Sequence, residues 1–167
     1  MIDVSGALKN PGSSFPFEEA ESFEPIVMMG EEIAFSDALL AGRLLGAEET
    51  VSIDARLKVN VHAYCARCLE PVERQMDIRV EATFSREPGD DEFPITGHTI
   101  DGKDAALSEL ITMLPMRFLC SEDCKGLCPV CGINRNKSLC TCLEGAVRPN
   151  PFSALKALLN DQNNKEV

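Results

Sequence analysis

Tryptophan is absent from this 167-residue chain, tyrosine occurs once, at Tyr64, and histidine twice, at His62 and His98. With aromatics at only 5% of residues, the core is expected to be built from leucine, isoleucine, valine, methionine and phenylalanine. Long apolar runs are missing too, so no membrane-spanning helix is expected. The opening MIDVSGALKN lacks the basic and then apolar regions of a secretory leader. These absences predict a cytoplasmic protein without membrane association. No glycine-rich phosphate loop, internal repeat or low-complexity tract is visible. His98 has no evident serine, cysteine or carboxylate partner for a catalytic dyad, and His62 is expected to face solvent. The run Asp90-Asp91-Glu92 reads as solvated charge. Neither enzymatic activity nor a small-molecule substrate is expected.

Charge is abundant and uneven. The formal net charge is −11. Residues 1–116 hold 9 lysines and arginines against 22 acids, a net of −13, whereas residues 117–167 hold 7 against 5, a net of +2. Binding to a phosphate backbone draws on lysine and arginine displacing counter-ions, so the acidic part is a poor non-specific nucleic-acid binder. Contact with RNA should be local, or run through a basic protein partner.

The clearest elements lie in the middle of the chain. Residues 51–64 alternate strictly, with Val51, Ile53, Ala55, Leu57, Val59, Val61 and Ala63 on one face, and residues 72–84 alternate again. Two long strands around Cys65-Ala66-Arg67-Cys68 make a hairpin with two thiols at its tip. Before it, residues 1–9 suit a short strand, 13–24 an irregular segment pinned by Phe15, Phe17 and Phe23, and 25–29 another strand. Residues 36–46 suit a capped helix or a bulged strand, and a strand is expected beside the β structure that follows. Residues 85–103, rich in acids, proline and glycine, read as an exposed loop. A helix is predicted over 104–114, with Ala105, Leu107, Leu110, Ile111 and Leu114 as its apolar face and Pro115 as its stop. A last helix is predicted on Phe152, Leu155, Leu158 and Leu159. The expected class is therefore α+β. A β-rich N-terminal body with a long hairpin and one helix (1–115) is followed by a cysteine-rich zinc module and C-terminal helix (116–167), packed as one unit.

Cysteine is what the chain has in excess. Six of its eight fall in residues 120–142, as Cys120 and Cys124, then Cys128 and Cys131 before Gly132, then Cys140 and Cys142. In a reducing compartment these spacings point to metal rather than disulfides. A CxxC turn offers two thiolates to a tetrahedral zinc, and its backbone amides stabilise their charge. The favoured division places Cys128, Cys131, Cys140 and Cys142 on one zinc and Cys65, Cys68, Cys120 and Cys124 on another. A second division pairs the two CxxC turns, and a single-zinc arrangement is also open. In the first division residues 120–142 carry one and a half sites, and the distant hairpin completes the second. A four-thiolate site has no open position, so Lewis-acid catalysis is not expected. A thiol redox or metal-handling protein using the CxxC pairs is the alternative. Arg67, Lys125, Arg135 and Lys137, close to the thiols, are either a partial offset to their negative field or a small rim for RNA phosphate.

The combination of CARCLEPVE at 65–73, LSELITMLPMRFLCSEDCKGLCPVCGIN at 107–134, the closing CTC and PNPFSALKAL at 149–158 resembles the YceD family. Arg135 departs from the family's usual Asn-Leu-Asn at this point. The resemblance implies a cytosolic, metal-binding, non-enzymatic protein linked to accumulation of large-subunit ribosomal RNA. It also implies large-subunit rRNA or a basic ribosomal protein as the partner.

Overall fold

A computed structural model describes residues 1–142, and they divide into two compact units, Met1–Cys124 and a second beginning at Lys125. In the first, eight strands and two short helices follow in order: β1 (Ile2–Asp3), α1 (Ser5–Lys9), β2 (Ser14–Glu21), β3 (Ile26–Met28), β4 (Glu31–Gly46), β5 (Thr50–Tyr64), β6 (Pro71–Ser85), β7 (Glu92–Thr96), β8 (Thr99–Ile100) and α2 (Gly102–Met113). The strands form one sheet in the order β1-β8-β7-β6-β5-β4-β2, with β3 paired to β4. The pairs are antiparallel except β6 with β7.

The hairpin is the spine of this sheet. Residues of β5 and β6 pair without a break from Thr50 opposite Ser85 to Tyr64 opposite Pro71. Every second residue of β5 from Val51 to Ala63 is buried, as its alternation requires. Leu57 and Val61 are fully buried, and each such side chain stabilises the fold by about 1.5–3 kcal/mol. On the opposite face Arg79 of β6 crosses to Asp54 and also meets Glu81 along its own strand, and Arg56 crosses to Asp77. These exposed pairs set register more than they stabilise.

β4 pairs along β5 through a bulge between Ser36 and Leu39, where Asp37 adopts a φ of 49° and accepts a hydrogen bond from Asn60 Nδ2. Gly42 is required further along, because a Cβ there would stand 2.3 Å from the Asp54 carbonyl oxygen. Gly42→Ala should therefore push β4 from β5 and destabilise the protein by about 1–3 kcal/mol in urea denaturation.

Several expectations need correction. The class is β-rich rather than α+β, since strands dominate and the helices among the described residues are only α1 and α2. The predicted C-terminal helix on Phe152, Leu155, Leu158 and Leu159 lies outside the described residues. Residues 13–24 are mostly strand β2, whose half-buried face mixes Phe15 and Phe17 with Glu19 and Glu21 and so hides its alternation. Residues 85–103 include the β7–β8 hairpin, turned at Gly97 (φ 66°) and anchored by buried Ile95 and Ile100. Residues 1–9 are strand only at β1, then helix.

Helix α2 forms where expected. Asp101 caps it by accepting from the Lys103 amide, and Leu114 turns to extended backbone before Pro115. Its buried face is Ala105, Ala106 and Leu110, while Ile111 is exposed. The small alanines let α2 lie close against β6.

Candidate metal centres

The first group of thiols is built by the hairpin tip and the chain after α2. At the tip, the Cys65 amide donates to the Glu70 carbonyl, the Leu69 amide donates to the Cys65 carbonyl, and Leu69 takes a φ of 59°. This tight turn points Cys65 and Cys68 the same way. The Ala66 amide donates to the Phe118 carbonyl, and the Phe118 side chain is buried in the core. That bond holds the post-helix segment against the tip and brings Cys120 and Cys124 into reach.

The four sulfurs of Cys65, Cys68, Cys120 and Cys124 lie within 4.8 Å of one another. Cys65 Sγ to Cys124 Sγ is 3.8 Å and Cys68 Sγ to Cys120 Sγ is 3.5 Å. A disulfide needs a separation of about 2.05 Å. Four sulfurs about 2.3 Å from a central zinc stand about 3.8 Å apart along each tetrahedral edge. The spacing is thus that of a four-thiolate metal site.

The electrostatics agree. Burial pushes the Cys65 thiol up, but the backbone N–H groups of Cys120, Arg67 and Cys68 donate to its sulfur and together bring it down to about 6. Cys120 moves the other way, to about 12, because the sulfurs of Cys68 and Cys124 crowd it and burial adds to the cost of charge. Four thiolates this close repel one another unless a cation lies among them.

Cys128, Cys131, Cys140 and Cys142 form the second group, in the second unit, again with all sulfurs within 4.8 Å. The knuckle closes when the Gly132 amide donates to the Cys128 carbonyl and the Cys128 amide donates to the Ile133 carbonyl, both at 2.8 Å. Gly132 supplies the φ of 74° that this turn requires. The N–H groups of Cys131 and Val130 bring Cys128 down to about 6, whereas the Cys131 sulfur and then burial push Cys142 up to about 11.

Of the divisions open to the sequence, the structure takes the one that joins the hairpin to Cys120 and Cys124, and it does not pair the two CxxC turns. Both groups could hold a metal and are compatible with zinc. Each would supply four sulfur ligands and leave no position for substrate.

Arg67, Lys125, Arg135 and Lys137 are all exposed. Arg67 is already engaged: its guanidinium donates to the carbonyls of Glu122 at 3.0 Å and Cys124 at 2.9 Å. Arg67→Ala should lower thermal stability by about 1 kcal/mol without changing metal content, measured by melting beside elemental analysis. Sequence reasoning missed Asn134 and Asn136. Asn136 Oδ1 accepts from the Lys125 amide, while Asn134 Oδ1 accepts from the Asn136 amide. Two asparagines within a loop between metal ligands are the signal that was available. His62 is hydrogen-bonded to Ser36 Oγ at 2.7 Å, and His98 sits in the β7–β8 turn; neither histidine belongs to a thiol group. No helix among the described residues is long and apolar enough to cross a membrane.

A β-rich chain whose hairpin tip and post-helix segment gather four thiols, with four more around a CxxC-Gly turn, defines a protein with cysteine groups that could hold metal. The sequence profile of the large ribosomal RNA subunit accumulation protein YceD matches residues 53–159, which span the hairpin and both groups. The chain belongs to the YceD family. Among curated proteins it is similar to uncharacterised proteins of Mycobacterium bovis and Mycobacterium tuberculosis, 25% identical over 143 residues, covering 79% of this chain and 69% of each relative. No solved structure matches the chain with statistical support.

Proposed function

We propose that this protein is a cytoplasmic, non-enzymatic accessory factor for the accumulation of large-subunit ribosomal RNA, holding two zinc ions in Cys₄ sites and acting by binding. The observation that carries the reading is the pair of four-sulfur groups, each with all its sulfurs within 4.8 Å, inside the stretch that matches the family. When bound, zinc would neutralise thiolate charge and fix the hairpin tip to the segment that carries Cys120 and Cys124. Closed sites of this kind supply structure rather than a reactive centre.

The net charge of −13 over residues 1–116 favours a basic ribosomal protein as the partner of the acidic part. Lys125, Arg135 and Lys137 are the proposed contacts to rRNA phosphate, whereas Arg67, held by the Glu122 and Cys124 carbonyls, is given to structure. The test is capture of the tagged full-length chain from growing cells, followed by RNA sequencing and mass spectrometry. Enrichment of large-subunit rRNA or its proteins is expected, and recovery of neither overturns the proposal. The thiol redox alternative separates cleanly by thiol titration. Native protein should show no reactive thiols until a chelator is added.

A further inference from the structure

The sheet of the first unit does not close. Its path ends at β1 on one side and β2 on the other, and the outer edge of β2 carries no strand among the described residues. Between these ends runs a groove of about 390 Å³, with Ile2 and Gly6 on one wall and Phe15, Phe17 and Glu19 on the other. From this seam we infer that β2 is a docking edge for an extended, lysine- or arginine-bearing peptide segment of a partner protein, which would add as a strand.

Register decides which backbone groups are on offer. Just before β2, the Ser13 carbonyl accepts from the Gly46 amide, so odd-numbered residues of this strand bond toward β4. Alternation then turns the backbone of Pro16, Glu18 and Ala20 away from β4, toward the groove side. Pro16 stands where a missing N–H costs the ladder nothing and blunts the edge against indiscriminate pairing. Glu18 and Ala20 keep outward amides and carbonyls for an incoming strand, the usual basis of strand addition.

Charge selects the occupant. Glu18, Glu19 and Glu21 lie within this eight-residue strand. Glu19 already takes a cation, the Met1 ammonium. Burial first, and then Asp101 and Glu19, hold Glu21 above the usual carboxylate range, while the Met1 ammonium and Lys103 offset part of that, so exposed Glu18 is the acid that most directly faces an incoming strand. A second copy of β2 would bring its own three glutamates to the same edge, and RNA would bring phosphates. A basic strand alone meets the edge with complementary charge.

The inference gives the proposed ribosomal partnership a docking strand, and its use in the cell rests on that reading. The test uses the full-length, zinc-loaded protein and a blocked octapeptide of alternating lysine and valine, with an alternating glutamate–valine peptide as control. Binding is read by fluorescence anisotropy and by amide exchange at Glu18 and Ala20. The basic peptide should bind, protect those amides and weaken with salt. Ala20→Pro removes only an outward N–H, in the same phase as Pro16, and should weaken binding about tenfold. Glu18→Lys should weaken it about threefold and serves if the proline variant folds poorly. Equal binding of both peptides, protection elsewhere, unchanged affinity in both variants, or self-association through β2 would each overturn the inference. In cell capture, the two readings part. Large-subunit recovery that survives Ala20→Pro rejects the docking strand alone, whereas no recovery by the wild type rejects the ribosomal role alone.

Discussion

Cys65→Ser is expected to cost about 3–5 kcal/mol and to loosen two segments far apart in sequence. Cys65 is fully buried, and its loss leaves three thiols, of which Cys68 and Cys124 belong to buried residues, without a complete ligand set. On the zinc reading the ion leaves or binds weakly, and the remaining thiolates lose the charge that balances them. The hairpin tip and the post-helix segment are also joined by the Ala66–Phe118 and Arg67–Glu122/Cys124 hydrogen bonds, and Phe118 is buried in the core, so the loss should loosen rather than detach this segment. Hydrogen exchange should therefore quicken both at residues 64–71 and at 118–124, while the loop around Cys128 and Cys131 stays protected. Unchanged exchange at 118–124 would show that the tip and this segment do not share a site.

Phe84→Ala should cost a similar amount for a different reason. Phe84 is fully buried at the end of β6, packed on Phe93 with ring centroids 5.5 Å apart. Removing the ring leaves a cavity where β6 meets β7, and such truncations cost about 3–5 kcal/mol. For a chain of this size the midpoint of melting should fall by about 10 °C. Metal content should not change, since neither thiol group includes β7 or the end of β6. Metal loss in this variant would mean that the sites depend on the whole sheet rather than on their local turns.

The contrast between these variants tracks what could be read in advance. The β5–β6 hairpin was legible because β5 buries every residue of one face from Val51 to Ala63 and β6 buries Ile78, Val80 and Phe84 on its own, so the alternation shows through. The ligand turn around Cys128 was legible because a CxxC-Gly knuckle is a local structure. β2 was not, because it borders the groove and places Glu19 and Glu21 on the same face as two phenylalanines. Nor was the β7–β8 hairpin, where two buried isoleucines anchor strands too short to show a period. The division of the thiols depended on a contact across fifty residues, the Ala66–Phe118 bond, which no local pattern encodes. The α+β expectation fails for a separate reason: β2, β7 and β8 carry no clean alternation, which gives the helices undue weight.

The eight cysteines gather as 65/68/120/124 and 128/131/140/142; the central proposal is that each group independently holds one zinc. Native mass spectrometry of the full-length protein, with Cys65→Ser and Cys128→Ser measured beside it, tests this most directly. Two zinc ions are predicted for the wild type and one for each variant. A single ion in the wild type, loss of both ions in either variant, or a mass showing disulfides in place of metal would contradict it.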